Sequence, residues 1–180
     1  MVTYFTQTGN TRQVAEAIFE EVPGDKEILP IGELENLDGY GLIFYGFPIQ
    51  AGHPAKDAAD FLTLNGAGKK IALFATHGAP EDAERVGPWL EGSKTLATSA
   101  GAELVGLFHC QGEASQEIVD FLLNSDNPEF QQYGREGAQA KGLPDKARLD
   151  KARDYTREIL AVVRVKGDFQ GGTHERGHHF

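Results

Sequence analysis

Two apolar runs limit the possible folds of this chain more than any other feature. Leu42-Ile43-Phe44-Tyr45 and Ile71-Ala72-Leu73-Phe74-Ala75 are hydrophobic at consecutive positions, with no polar alternation. Successive strand side chains point to opposite faces, so such runs predict strands buried on both sides, as in a parallel sheet covered by helices. Five strands are predicted: Val2–Phe5, Glu27–Pro30, Gly41–Phe47, Lys70–Ala75 and Glu103–Cys110. Helical patterns fall between them. Val14, Ala17, Ile18 and Val22 share a face after Thr11. Pro54 suits a first helical turn ahead of Ala55, Ala58, Ala59 and Leu62. Trp89, Ser93, Leu96, Ala97 and Ala100 form a packing stripe that Gly101 can stop. Glu33–Leu37 is a poor helix, so the second crossover is short or irregular. The expected fold class is α/β, a three-layer, doubly wound, five-stranded parallel sheet.

Beyond Cys110 the regularity loosens into a helical C-terminal extension. Ser115–Asn124 reads as a helix, Asn124–Pro128 as a turn into another, and Lys146–Val165 as a long charged helix. The expected organisation is a single domain over residues 1–165, with 1–110 as core and 111–165 as extension. A glycine-rich, polar tail at 166–180 is expected to be mobile.

The loop Thr6-Gln7-Thr8-Gly9-Asn10-Thr11 lies directly between the first strand and the first helix. Hydroxyls and closely spaced amides there can surround a phosphate, Gly9 lets the backbone approach it, and the helix N-terminus favours its charge. Neither G-x-G-x-x-G nor the lysine-bearing triphosphate loop occurs. Gly66-Ala67-Gly68-Lys69-Lys70 precedes a strand instead of following one, and reads as a turn.

Thr6–Thr11 resembles the Ser/Thr-x-Thr-Gly-x-Thr phosphate loop of the flavodoxin family, and the strand and helix order matches that family to about Cys110. The resemblance implies strand order 2-1-3-4-5 and FMN as cofactor. It implies a flavin ring held between the loops after strands 3 and 4, at the carboxyl edge of the sheet. By position these loops are Phe47, Pro48, Ile49, Gln50, Ala51, Gly52 and His53, then Thr76, His77, Gly78 and Ala79. Together with Thr6, Gln7, Thr8, Gly9, Asn10 and Thr11 they form the expected cofactor site; no residue is assigned as catalytic or metal-binding. Flavodoxins often stack a tryptophan and a tyrosine on the ring, and neither loop contains one. Phe47, Ile49, His53 and His77 are the substitutes, and either histidine could donate a proton near the flavin.

Charge narrows the partners. Residues 1–125 carry 18 acidic and seven basic side chains, whereas residues 126–180 carry nine and ten. An acidic body argues against nucleic acid and anionic membranes, and suits a basic docking face on a redox partner protein. The single cysteine, Cys110, excludes an intrachain disulfide and reads as a buried small residue. No signal peptide or membrane span is visible, so a cytoplasmic location is expected. Three functions stay open: an FMN protein shuttling electrons between proteins, an FMN-dependent NAD(P)H reductase acting on a quinone or other small acceptor, and a flavin-free binding module. Residues 111–180 could cover the ring, pair two copies of the chain or recognise a partner.

Overall fold

The computed structural model describes residues 1–170. In chain order its elements are β1 (Val2–Tyr4), α1 (Asn10–Glu21), β2 (Ile28–Pro30), a 3₁₀ turn (Ile31–Glu33), β3 (Ile43–Gln50), β4 (His53–Pro54) and α2 (Lys56–Asn65). There follow β5 (Lys70–His77), α3 (Val86–Ser99), β6 (Glu103–Gln111), α4 (Gln116–Leu123), α5 (Pro128–Gln139) and α6 (Lys146–Gln170). Five strands run parallel in the order β2-β1-β3-β5-β6, with the two-residue β4 paired antiparallel to the end of β3. With that short hairpin arm set aside, the order is 2-1-3-4-5. The second crossover is the 3₁₀ turn.

Strand periodicity divides the two apolar runs between two cores. Ile43, Tyr45, Phe47, Ile71, Leu73 and Ala75 face α2 and α3, where Ala58, Leu62 and Ala97 meet them. Phe44, Ala72 and Phe74 face the other way, onto Val14 and Ile18 of α1 and onto Ala152, Tyr155 and Ile159 of α6. The buried Tyr155 hydroxyl donates to the Leu73 carbonyl at 2.8 Å, which fixes α6 on the sheet. Within the segment expected as an extension, α6 is therefore part of the three-layer sandwich. One helix cannot cover a five-stranded face, and α6 fills the place beside α1. Only α4 and α5 stand outside the sandwich.

Several boundaries shift. β3 continues past Phe47 to Gln50, because Pro48 loses only a donor and still pairs with Thr76. Pro54 lies in β4 opposite Ile49, not in the first turn of α2, whose N-cap is Ala55. α6 runs beyond Val165 to Gln170, into the segment expected as tail; residues 171–180 lie outside the described residues. Among the described residues, no helix is long and apolar enough to cross a membrane.

Candidate functional site

The carboxyl ends of β1, β3, β5 and β6 bring three segments together. The first is the loop before α1. Gly9 caps the helix with φ 94°, a conformation that disfavours any residue with a Cβ, and its amide donates to Thr6 Oγ1 at 3.0 Å. The first helical bond is from the Gln13 amide to the Gly9 carbonyl. The amides of Asn10, Thr11 and Arg12 therefore have no acceptor inside the helix. No side chain caps this end, and its first turn holds no acidic residue. Gln7 and Thr8 are exposed, and Thr8 lines a cleft of about 430 Å³ with Asn10, Gln13 and Glu113. This donor set fits an anion.

The second segment is the β3–β4 hairpin. Ala51 and Gly52 form its two-residue turn with φ of 49° and 82°. Positive φ at both central positions is what a type I′ turn demands, and Ala51 is the only non-glycine among the described residues in that region. Gln50 Nε2 donates to Gln7 Oε1 at 2.6 Å, tying the hairpin to the loop before α1. His53 is exposed, while Pro48 and Ile49 are half-buried.

The third is the end of β5. His77 is buried, its Nε2 shares a 2.9 Å hydrogen bond with His109 Nδ1, and its Nδ1 has no partner among the described residues. Gly78 is exposed and Ala79 buried.

Four expected site residues take other roles. Phe47 is fully buried among Tyr45 and the α2 core, so it does not face the site. Thr11 and Thr76 are also buried, and their hydroxyls bond each other at 2.8 Å. They lock α1 to β5 instead of presenting both hydroxyls to a ligand. Ala79 points into the protein. Conversely, Trp89, read from sequence as packing, reaches the site. Its ring meets His77 edge-on at 6.0 Å, and its Nε1 lies 3.1 Å from where a Cβ on Gly52 would be. A tryptophan from α3 thus stands at both loops that lack one of their own. Its early place in α3, directly after the β5 loop, is the signal that would have found it.

Behind the site, Glu81 is clasped by Arg148, with a 3.0 Å bond to Nη2, and accepts the Gln111 amide at 3.0 Å. Burial pushes the Glu81 carboxyl up, but these bonds outweigh it and bring it down to about 2. Burial raises the Cys110 thiol to about 12, as for an inert packing residue. Among the described residues no group of histidine, cysteine or acidic side chains is arranged for a metal. His174, His178 and His179 lie outside them.

Burial, reinforced by His109, lowers His77 from 6.5 to about 4. The unfolded chain therefore takes up this proton first as pH falls. The His77 contribution to stability is intact above about pH 6.5 and is lost down to about pH 4, reaching about 2 kcal/mol at pH 5. His109, also lowered by burial, acts in the same direction. Urea unfolding at pH 7 and pH 5 should show a smaller loss on acidification for His77→Gln than for wild type. Equal losses would refute this assignment.

A family model described as "Flavodoxin domain" matches residues 1–157. The flavodoxin-like domain-containing protein BilS of Clostridioides difficile (strain CD3) is 26% identical over 174 residues, covering 92% of this chain and 98% of that protein. Two solved structures share the fold. A flavodoxin from the domain Archaea has TM-score 0.55 at 18% identity, covering 91% of this chain and 96% of its own. Flavodoxin 2 from Bacillus cereus has TM-score 0.54 at 18% identity, covering 89% and 96%.

Proposed function

The chain belongs to the flavodoxin domain family, and from that premise we propose that it holds FMN at the carboxyl edge of its sheet and shuttles electrons between partner proteins in the cytoplasm. The observation that carries this is the open end of α1. A helix N-terminus with a left-handed glycine cap, no side-chain cap and no acidic first turn is suited to a phosphate monoester. The amides of Asn10, Thr11 and Arg12 and the Thr8 hydroxyl would hold the phosphate. The Gln7–Gln50 bond keeps the hairpin in place over the same edge. The Ala51–Gly52 turn and Trp89 would bound the ring, with the buried His77 packed behind Trp89. When bound, FMN supplies the group that takes up and releases electrons. The residues of the chain anchor and orient it and limit the access of water.

Loops without tryptophan or tyrosine favour the reductase alternative, since a bare ring admits a small substrate. Trp89 at these loops removes that support. The test is the absorption spectrum of purified or FMN-reconstituted protein, followed by anaerobic mixing with NADH and NADPH. A yellow protein releasing FMN on denaturation, and inert to both nucleotides, is expected. FAD as the released species, or no flavin uptake, would overturn the cofactor assignment. Rapid bleaching by either nucleotide would replace the carrier with the reductase.

A further inference from the structure

α4 and α5 form a helical hairpin outside the sandwich, and its inner seam is already filled. Val119 is buried against Gly137, whose Cβ would lie 3.2 Å from Val119 Cγ2, and Leu123 packs on Gly134. Arg85 of the β5–α3 connection pairs with Glu136 and lies 4.0 Å over the Tyr133 ring, fixing α5 to the body. The outer side of α4 carries Ile118 (52% exposed) and Phe121 (68%), and Phe130 (40%) is exposed in the first turn of α5. From Glu113 to the end of α5, the chain holds six carboxylates (Glu113, Glu117, Asp120, Asp126, Glu129 and Glu136, the last paired with Arg85) against one basic side chain, Arg135. The patch is also continuous with the cofactor edge: Ser115 and Gln116, at the start of α4, line the same cleft as Thr8 and Asn10.

Resting on the electron-carrier reading above, we propose that the outer face of α4–α5 is where a redox partner docks, and that the partner presents an apolar patch ringed by lysine or arginine. An exposed aromatic anchor inside a charged rim is the arrangement that gives a protein interface its affinity and its steering. The rim also selects the occupant. Two copies of this chain would bring their acidic rims together, and an anionic lipid surface would meet the same repulsion.

The test measures binding of a lysine-rimmed c-type cytochrome to the FMN-loaded protein by calorimetry and by amide shifts, at low and high salt. Phe121→Ser is expected to weaken binding about tenfold, as for an anchor residue. Leu64→Ser, at an 82% exposed position on α2, should leave it unchanged. Glu117→Gln with Asp120→Asn should flatten the salt dependence. Equal affinities for wild type and Phe121→Ser, or equal losses for Phe121→Ser and Leu64→Ser, would overturn the proposal. So would a wild-type dimer in sedimentation that Phe121→Ser makes monomeric. Flavin content is read separately: a wild-type protein that takes up no FMN overturns the carrier reading, while amide shifts confined to α4–α5 still report on the docking face.

Discussion

Replacing Gly46 by alanine is expected to cost the fold about 2–3 kcal/mol, the upper range for forcing atoms into a packed core. Gly46 lies in β3 between Tyr4 of β1 and Phe74 of β5, and its carbonyl accepts the Phe5 amide at 2.9 Å. A Cβ there would lie 2.0 Å from Phe74 Cε2 and 2.2 Å from Cζ. The Phe74 ring is fully buried against α1 and α6, so it has no solvent to swing into. Relief must come from shifting β3 against β5, the two strands that carry the hairpin and His77. Chemical denaturation measures the loss. Phe74→Leu removes the atoms in the way at the cost of a smaller side chain, so Gly46→Ala with Phe74→Leu should be less destabilising than the sum of the two by at least about 1 kcal/mol. Strict additivity would mean that the clash is not where the loss arises.

That contact shows what the sequence conceals. The consecutive apolar runs predicted a sheet buried on both faces, and they announced it because no other arrangement satisfies two apolar faces at once. Nothing local marks Gly46 as the floor under a ring from the next strand; the pairing of β3 with β5 decides it. Two expected site residues were legible as core from spacing alone. Phe47 has the same strand parity as Ile43 and Tyr45, and Thr11 falls on the helical face of Val14, Ala15 and Ile18. Their place beside loop residues drew them into the site, but periodicity is the stronger physical constraint. The β3–β4 hairpin was hidden for another reason. Pro48 and Gly52 both signal a turn, and only the pairing of Gln50 with His53 shows that the chain stays extended between them. Trp89 lies on the stripe read as packing, and it does pack, against the two loops that hold the site.

Introducing a carboxylate at Thr8 is expected to weaken FMN binding about a hundredfold or more. Thr8 is exposed and lines the cleft beside the open end of α1, with Asn10 and Gln13. In Thr8→Asp a carboxylate about 5 Å from a phosphate dianion, at an effective dielectric of about 40, repels it by about 3 kcal/mol, roughly two decades in Kd. Thr8→Ala only removes a hydroxyl donor to a charged group, a loss of about 1.5–3 kcal/mol, or about ten- to a hundredfold. Thr11→Val should behave differently. Its hydroxyl is buried and bonded to Thr76 at 2.8 Å, so the substitution leaves Thr76 short of a partner and lowers stability by about 1–3 kcal/mol, with a smaller effect on FMN. Titrating the apoprotein with FMN and with riboflavin, followed by flavin fluorescence, separates these effects. Riboflavin has the same ring and no phosphate, so Thr8→Asp should leave its affinity nearly unchanged while that for FMN collapses. If both affinities fall together, Thr8 acts through the shape of the loop, and the phosphate must be held elsewhere. If Thr11→Val weakens FMN more than Thr8→Asp does, the inward hydroxyl must turn to the ligand when it binds, and the Thr11–Thr76 bond is a latch that FMN opens.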